Sequence, residues 1–132
     1  MSSKDIVRLI TVAAWLLIIF FAYATLTRVG FVYAVYFKLA PFLMGPDMRT
    51  YAHFEHVLGF AILGVLFSFG YPKRTILVCC LVCGGAILLE ILQTLTPDRH
   101  GTLVDALEKL AGGAVGILIA KAMQQFWSGR AL

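Results

Sequence analysis

Long apolar runs separated by short polar breaks make up almost the whole of this chain. Leu9 to Leu26 carries no charge and ends at Thr27-Arg28. A second run extends from Ala52 to Gly70 and stops at Tyr71-Pro72-Lys73-Arg74. A third extends from Thr75 to Gln93 and is followed by Thr96-Pro97-Asp98-Arg99-His100-Gly101, and a fourth covers Thr102 to Ala122. Each run is close to the ~20 residues that a helix needs to cross a hydrocarbon layer, and Pro, Gly and basic residues punctuate the joins. The pattern predicts an all-α membrane protein with four transmembrane helices, at about 9–26, 52–70, 75–93 and 102–122, packed as one compact bundle in a single domain over 1–132. The segment from Phe31 to Pro41 is apolar but too short to span, and Lys38 interrupts it. Its aromatics Phe31, Tyr33, Tyr36 and Phe37 predict a short interfacial helix between the first and second spans.

Composition strengthens this picture. Of 132 residues, 61% are hydrophobic, against roughly 45–50% in soluble domains. The net charge of +4 would suggest nucleic acid in a soluble protein, but here the basic residues are scattered around apolar spans, so no nucleic-acid partner is expected and their positions report topology. With a cytoplasmic N-terminus, Lys4, Arg8, Lys73, Arg74, Lys121 and Arg130 lie inside, and Arg28, Lys38, Arg49 and Arg99 outside. This bias predicts that both termini are cytoplasmic. The N-terminal run resembles the apolar core of a signal peptide, but it continues through Phe20 and Phe21 to Leu26 and is read as a retained first helix. Cys79, Cys80 and Cys83 sit within an apolar run, where they read as small packing residues in spite of the Cys80-x-x-Cys83 spacing.

Against this apolar background, the ionisable residues from Glu90 onward stand out, because such groups within membrane spans are costly and mark functional sites. Glu90 and Gln93 share one side of the third helix at i, i+3. Asp105, Lys109, Gly112 and Gly116 form one stripe on the fourth, with Glu108 beside them and Lys109 at i, i+4 as the natural partner of Asp105. Leu103, Leu107, Leu110, Ala114 and Ile117 lie mostly elsewhere and can meet lipid. On the second helix His53, His56, Phe60, Leu63, Gly64 and Phe67 make a comparable stripe. The predicted topology puts both histidines, Glu90, Gln93, Arg99, Asp105, Glu108 and Lys109 in the outer half, so three regions of the chain converge on one outward-facing pocket. Gly112-x-x-x-Gly116, with Gly64 opposite, suits close helix packing.

His53 and His56 can together ligate a divalent ion with Glu90 or Asp105. The spacing is not diagnostic of zinc, so no metal or other cofactor is expected. The expected use of His56 is as a hydrogen-bonding or acid/base partner of a carboxylate, with His53 and His100 solvated at the interface. A structural ion-pair network is the competing reading of the same charges.

Residues His56 to Gly116 resemble the VanZ-like family of small bacterial membrane proteins. His56 is followed by Leu63-Gly64, Glu90-Ile-Leu-Gln93 matches a Glu-x-x-Gln motif, Arg99 and Asp105 follow at the family's steps, and Gly112 and Gly116 complete the match. The chain departs from the family pattern at Lys109, where Asn is common, and at Ala52-His53, where many members carry Asp-Lys. The resemblance implies a bacterial inner-membrane location and a cell-envelope role, since the family takes its name from a protein associated with resistance to the lipoglycopeptide teicoplanin. It brings no established reaction.

The resulting expectation is a pocket that recognises or modifies a lipid-linked or glycan envelope component, with membrane lipid as a further partner and no oligomeric state specified. Arg99 would bind an anion through its guanidinium fork. Glu90, Asp105 and His56 are the catalytic candidates, and Gln93, Glu108 and Lys109 join Arg99 as substrate-binding candidates. The alternatives are a non-enzymatic scaffold or accessory subunit whose polar cluster is structural and, less well matched to four spans with no inverted repeat, a proton- or ion-coupled carrier.

Overall fold

The computed structural model describes residues 2–27, 38, 48–96 and 101–129. It contains four helices, α1 (Ser3–Leu26), α2 (Met48–Gly70), α3 (Thr75–Leu95) and α4 (Leu103–Gly129), and no strand among the described residues. The expected interfacial helix falls, apart from Lys38, outside the described residues, as do Arg99 and His100.

Local chemistry sets the helix ends. Ser2 caps α1 through a reciprocal pair, its hydroxyl accepting from the Lys4 amide and the Asp5 carboxylate accepting from the Ser2 amide at 2.9 Å. Tyr71-Pro72 stops α2, and neighbouring helices take up carbonyls at its end. Thr11 donates to the Gly70 carbonyl (3.3 Å), Gln124 to Ser68 (2.9 Å) and Lys121 to Pro72 (2.9 Å). These bonds supply partners that the last turn of a helix cannot find within itself. At the far end of the chain α4 continues through the tail to Gly129, seven residues past the expected boundary, and Trp127 packs on Phe69 with ring centroids 5.9 Å apart.

Three helices, α1, α2 from His53 and α3, are long and apolar enough to cross a membrane. The fourth, which carries Asp105, Glu108, Lys109 and Lys121, does not reach the same apolarity. Helix α1 has only Ala14 fully buried, while Leu9, Leu16 and Ile19 are 61%, 62% and 60% exposed. In water that stripe would be a large exposed apolar face. A lipid environment makes it the ordinary outer surface of a bundle.

The core gathers Phe60, Leu63 and Phe67 from α2, Val78, Val82, Ala86 and Leu89 from α3, Ala14 from α1 and Ile117 from α4. Ile117 therefore faces inward, not toward lipid as its place away from the polar α4 stripe predicted, and Leu110, expected on the same lipid side, packs at the edge of the same core. The reason is the tight seam between α2 and α4. A methyl group added at Gly112 would strike the Val57 carbonyl, one at Gly116 the Ala61 carbonyl, and one at Gly64 would lie 2.6 Å from the Gly113 carbonyl. Val57 beside Gly112 and Ala61 beside Gly116 show that the two helices run parallel, four residues matching four. With so little side chain between them, the residue after Gly116 is turned into the core.

Candidate functional site

Lys109 is 1% exposed, and its ammonium is ion-paired with Glu90 Oε2 and donates to Gln93 Oε1 at 3.2 Å. The stripe position that suggested Asp105 as its partner is overruled by the packing. Asp105 stands one turn nearer the start of α4, whereas the Lys109 stem reaches across to α3, where Glu90 and Gln93 present their oxygens side by side. Glu90 is itself buried, and its second oxygen accepts from the Thr102 amide at 2.6 Å. Thr102 in turn caps α4, its hydroxyl accepting from the Asp105 amide at 3.1 Å and its carbonyl from the Ala106 amide at 3.1 Å. Both carboxylate oxygens of Glu90 are thus engaged, one by the ammonium and one by the positive end of a helix.

A second group of polar side chains lies along the α2–α4 seam. Each helix offers an i, i+3 pair, His53 and His56 on α2 and Asp105 and Glu108 on α4, and the parallel register brings the pairs to one level. His53 Nδ1 stands 2.6 Å from Glu108 Oε1. His56 Nδ1 lies 3.5 Å from Glu108 Oε2 and 3.7 Å from Asp105 Oδ1. His53, expected to be solvated, is half-exposed but engaged with Glu108. The buried atoms His56 Nδ1 and Glu108 Oε2 make no hydrogen bond.

The structure therefore sorts the sequence candidates into two neighbouring groups. Glu90, Gln93 and Lys109 belong to a buried α3–α4 network, and His56, Asp105 and Glu108 to the α2–α4 cluster with His53. Gly64, Gly112 and Gly116 line the seam. Arg99 lies outside the described residues. Of the contributors, Thr102 is not among the sequence candidates, and His53, weighed there as a metal ligand beside His56, is not paired with Glu108 on sequence grounds. Thr102 stands three residues before Asp105 at the start of an apolar run, which is a cap signature; the pairing of His53 depends on the parallel register, which no local pattern announces.

An open cleft of about 460 Å³ runs between α3 and α4. Its walls are Ile87, Ile91, Leu103, Ala106, Leu107 and Leu110, and its polar residues are Glu90, Thr94 and Thr102. The three cysteines are all free thiols, with Cys79 packed against the core and Cys80 exposed.

A family model described as VanZ/LLP1 matches residues 7–124. No curated protein and no solved structure matches the chain.

Proposed function

Because the chain belongs to the VanZ/LLP1 family, matched over nearly its whole length, we propose that it is a bacterial inner-membrane protein that binds a lipid-linked envelope component. Its apolar part occupies the α3–α4 cleft and its polar head is read by the outward-facing residues around α4. The observation that carries this reading is the composition of the cleft: exposed Ile87, Ile91, Leu103 and Leu107 and half-buried Ala106 and Leu110 line it together with the exposed polar side chains Thr94 and Thr102, a mixture that suits an amphiphile. In this proposal α4 is the fourth span. It runs parallel to α2, and its charged residues are accommodated by pairing in the bundle rather than by exposure to lipid. Both termini are cytoplasmic, which puts the His–carboxylate cluster on the outer side, where envelope precursors and glycopeptides are found.

Within this reading the roles divide. Glu90 and Lys109 are positioning residues, since their charged atoms are committed to one another and to α4. Asp105, Glu108 and His56, partly exposed, are the groups that contact the head group, with Arg99 as an anion-binding partner and Gln93 holding Lys109. An effect on glycopeptide susceptibility follows if the bound component belongs to the material those drugs engage.

Native mass spectrometry of the protein released from gentle detergent tests the reading. The expected result is a co-purifying envelope lipid that is lost when Ala106→Phe fills the cleft in a protein that still melts like the parent. Retention of the same lipid by a folded Ala106→Phe variant would overturn it. The scaffold reading is favoured by one observation, the complete engagement of Glu90 and Lys109, and it predicts that no envelope lipid co-purifies.

A further inference from the structure

From the side chains that α2 and α4 bring to one level, we propose that His53, Asp105 and Glu108 form a binding site for a divalent transition-series ion of the zinc class. Each of the three residues offers one ligand atom, and these atoms lie within 4.8 Å of one another, close enough for small side-chain rotations to bring them round a single ion. The set mixes imidazole nitrogen with carboxylate oxygen, a combination that suits zinc and its neighbours better than the all-oxygen cages of calcium or magnesium.

A second observation points the same way. His56 Nδ1 and Glu108 Oε2 are buried without a hydrogen bond although they lie 3.5 Å apart, and His56 Nδ1 is also 3.7 Å from Asp105 Oδ1. Buried polar atoms are satisfied in nearly all native structures, and an unsatisfied pair calls for an explanation, of which a bound ion is one. A cation held by Glu108 and Asp105 would take up the free carboxylate lone pair and leave His56 either as a fourth ligand or as a hydrogen-bond partner of a ligating carboxylate. Outer partners of that kind orient metal ligands. Of the two carboxylates that the sequence alone offers the histidines, Glu90 and Asp105, Glu90 is not available for this site, because Lys109 and the Thr102 amide hold both of its oxygens.

With His56 as the outer hydrogen-bond partner, three protein donors leave an open coordination position, which is the property of metal sites that go on to bind an oxygen of a substrate. The inference concerns the donors of this chain alone and holds or fails independently of the lipid assigned to the α3–α4 cleft.

The test uses the full-length protein in detergent, stripped by chelator, desalted, and titrated with zinc chloride alone by calorimetry. One equivalent is expected to bind per chain. His53→Ala and Glu108→Gln should each weaken binding on the order of 10-fold or more, whereas Cys80→Ser/Cys83→Ser should bind as the parent does. X-ray absorption of the zinc-loaded parent provides a readout that needs no variant, with imidazole nitrogen and oxygen expected in the first shell. Binding well below one equivalent, sulfur in the first shell, loss of binding in the cysteine variant, or undiminished binding in both folded ligand variants would each overturn the proposal.

Discussion

Lys109 of α4 and Glu90 of α3, 19 residues apart in sequence, form an ion pair with side chains 1% and 9% exposed. Neither charge would be tolerable there alone. Together with Gln93 and the Thr102 amide they tie the end of α3 to the beginning of α4 and so fix where Asp105 and Glu108 stand.

Removing one member of the pair should cost far more than removing both. Glu90→Gln or Lys109→Met strands the opposite charge in the interior and is expected to destabilise the protein by about 3–5 kcal/mol. The double variant Glu90→Gln/Lys109→Met, which strands no charge, should recover most of that loss. Unfolding of the three variants in detergent measures the coupling; single variants that unfold with the parent would show that the pair contributes nothing to the fold.

The α2–α4 seam makes a second prediction. Gly116→Val puts side chain where the Ala61 carbonyl lies, and backbone cannot move aside as a flexible side chain can. Forcing the helices apart should cost at least about 1–3 kcal/mol, the usual range for overpacking, and should lower the melting temperature measurably. Gly84→Ala is the control: nothing lies within 4 Å of a methyl group there, so its stability should match or slightly exceed that of the parent, in line with the helix preference for alanine of about 0.5–1 kcal/mol.

These contrasts mark what was legible in the sequence. Helix existence followed from apolar runs bounded by Pro, Gly and basic residues, because both signals are local. That His56, Glu90 and Asp105 belong to a polar region was legible too, since each interrupts an otherwise apolar pattern. The division of that region was not. The i, i+4 rule offers Asp105 to Lys109, but a buried lysine is placed by whichever helix packs on it, and α3 presents two acceptors. In the same way the pairing of His53 with Glu108 and the inward turn of Ile117 both follow from the register between α2 and α4, which glycine contacts set and which periodicity within one helix cannot specify.

Thr102 links the two polar groups, donating its amide to Glu90 and accepting the Asp105 amide on its hydroxyl. Thr102→Ala removes the hydroxyl acceptor and keeps the amide. A loss of about 0.5–2 kcal/mol is expected for a helix cap, with the Glu90–Lys109 pair intact. Thr102→Pro also removes the amide donor and frees one Glu90 oxygen, so it should be the more destabilising of the two. Chemical denaturation in mild detergent ranks them; equal stability would mean that the amide bond to Glu90 adds nothing.

The functional reading is tested most directly by residues whose loss the fold can absorb. Asp105 and Glu108 retain 22% and 20% side-chain exposure and contact histidines rather than a buried ammonium. Asp105→Asn and Glu108→Gln preserve shape while removing charge, so both should be produced at parental level and melt within a few degrees of the parent. On the proposed function, each is nevertheless expected to abolish the predicted effect on glycopeptide susceptibility, scored as the inhibitory concentration of teicoplanin in a strain lacking the native copy. Glu90→Gln should lose the same effect by another route, through reduced protein abundance, because its partner Lys109 is left uncompensated. If Asp105→Asn and Glu108→Gln are fully active while Glu90→Gln fails only through degradation, the polar residues hold the bundle together and the scaffold reading replaces the binding site. If the two partly exposed carboxylates fail at normal abundance, the chemistry resides in the α2–α4 cluster and the buried pair serves to position it.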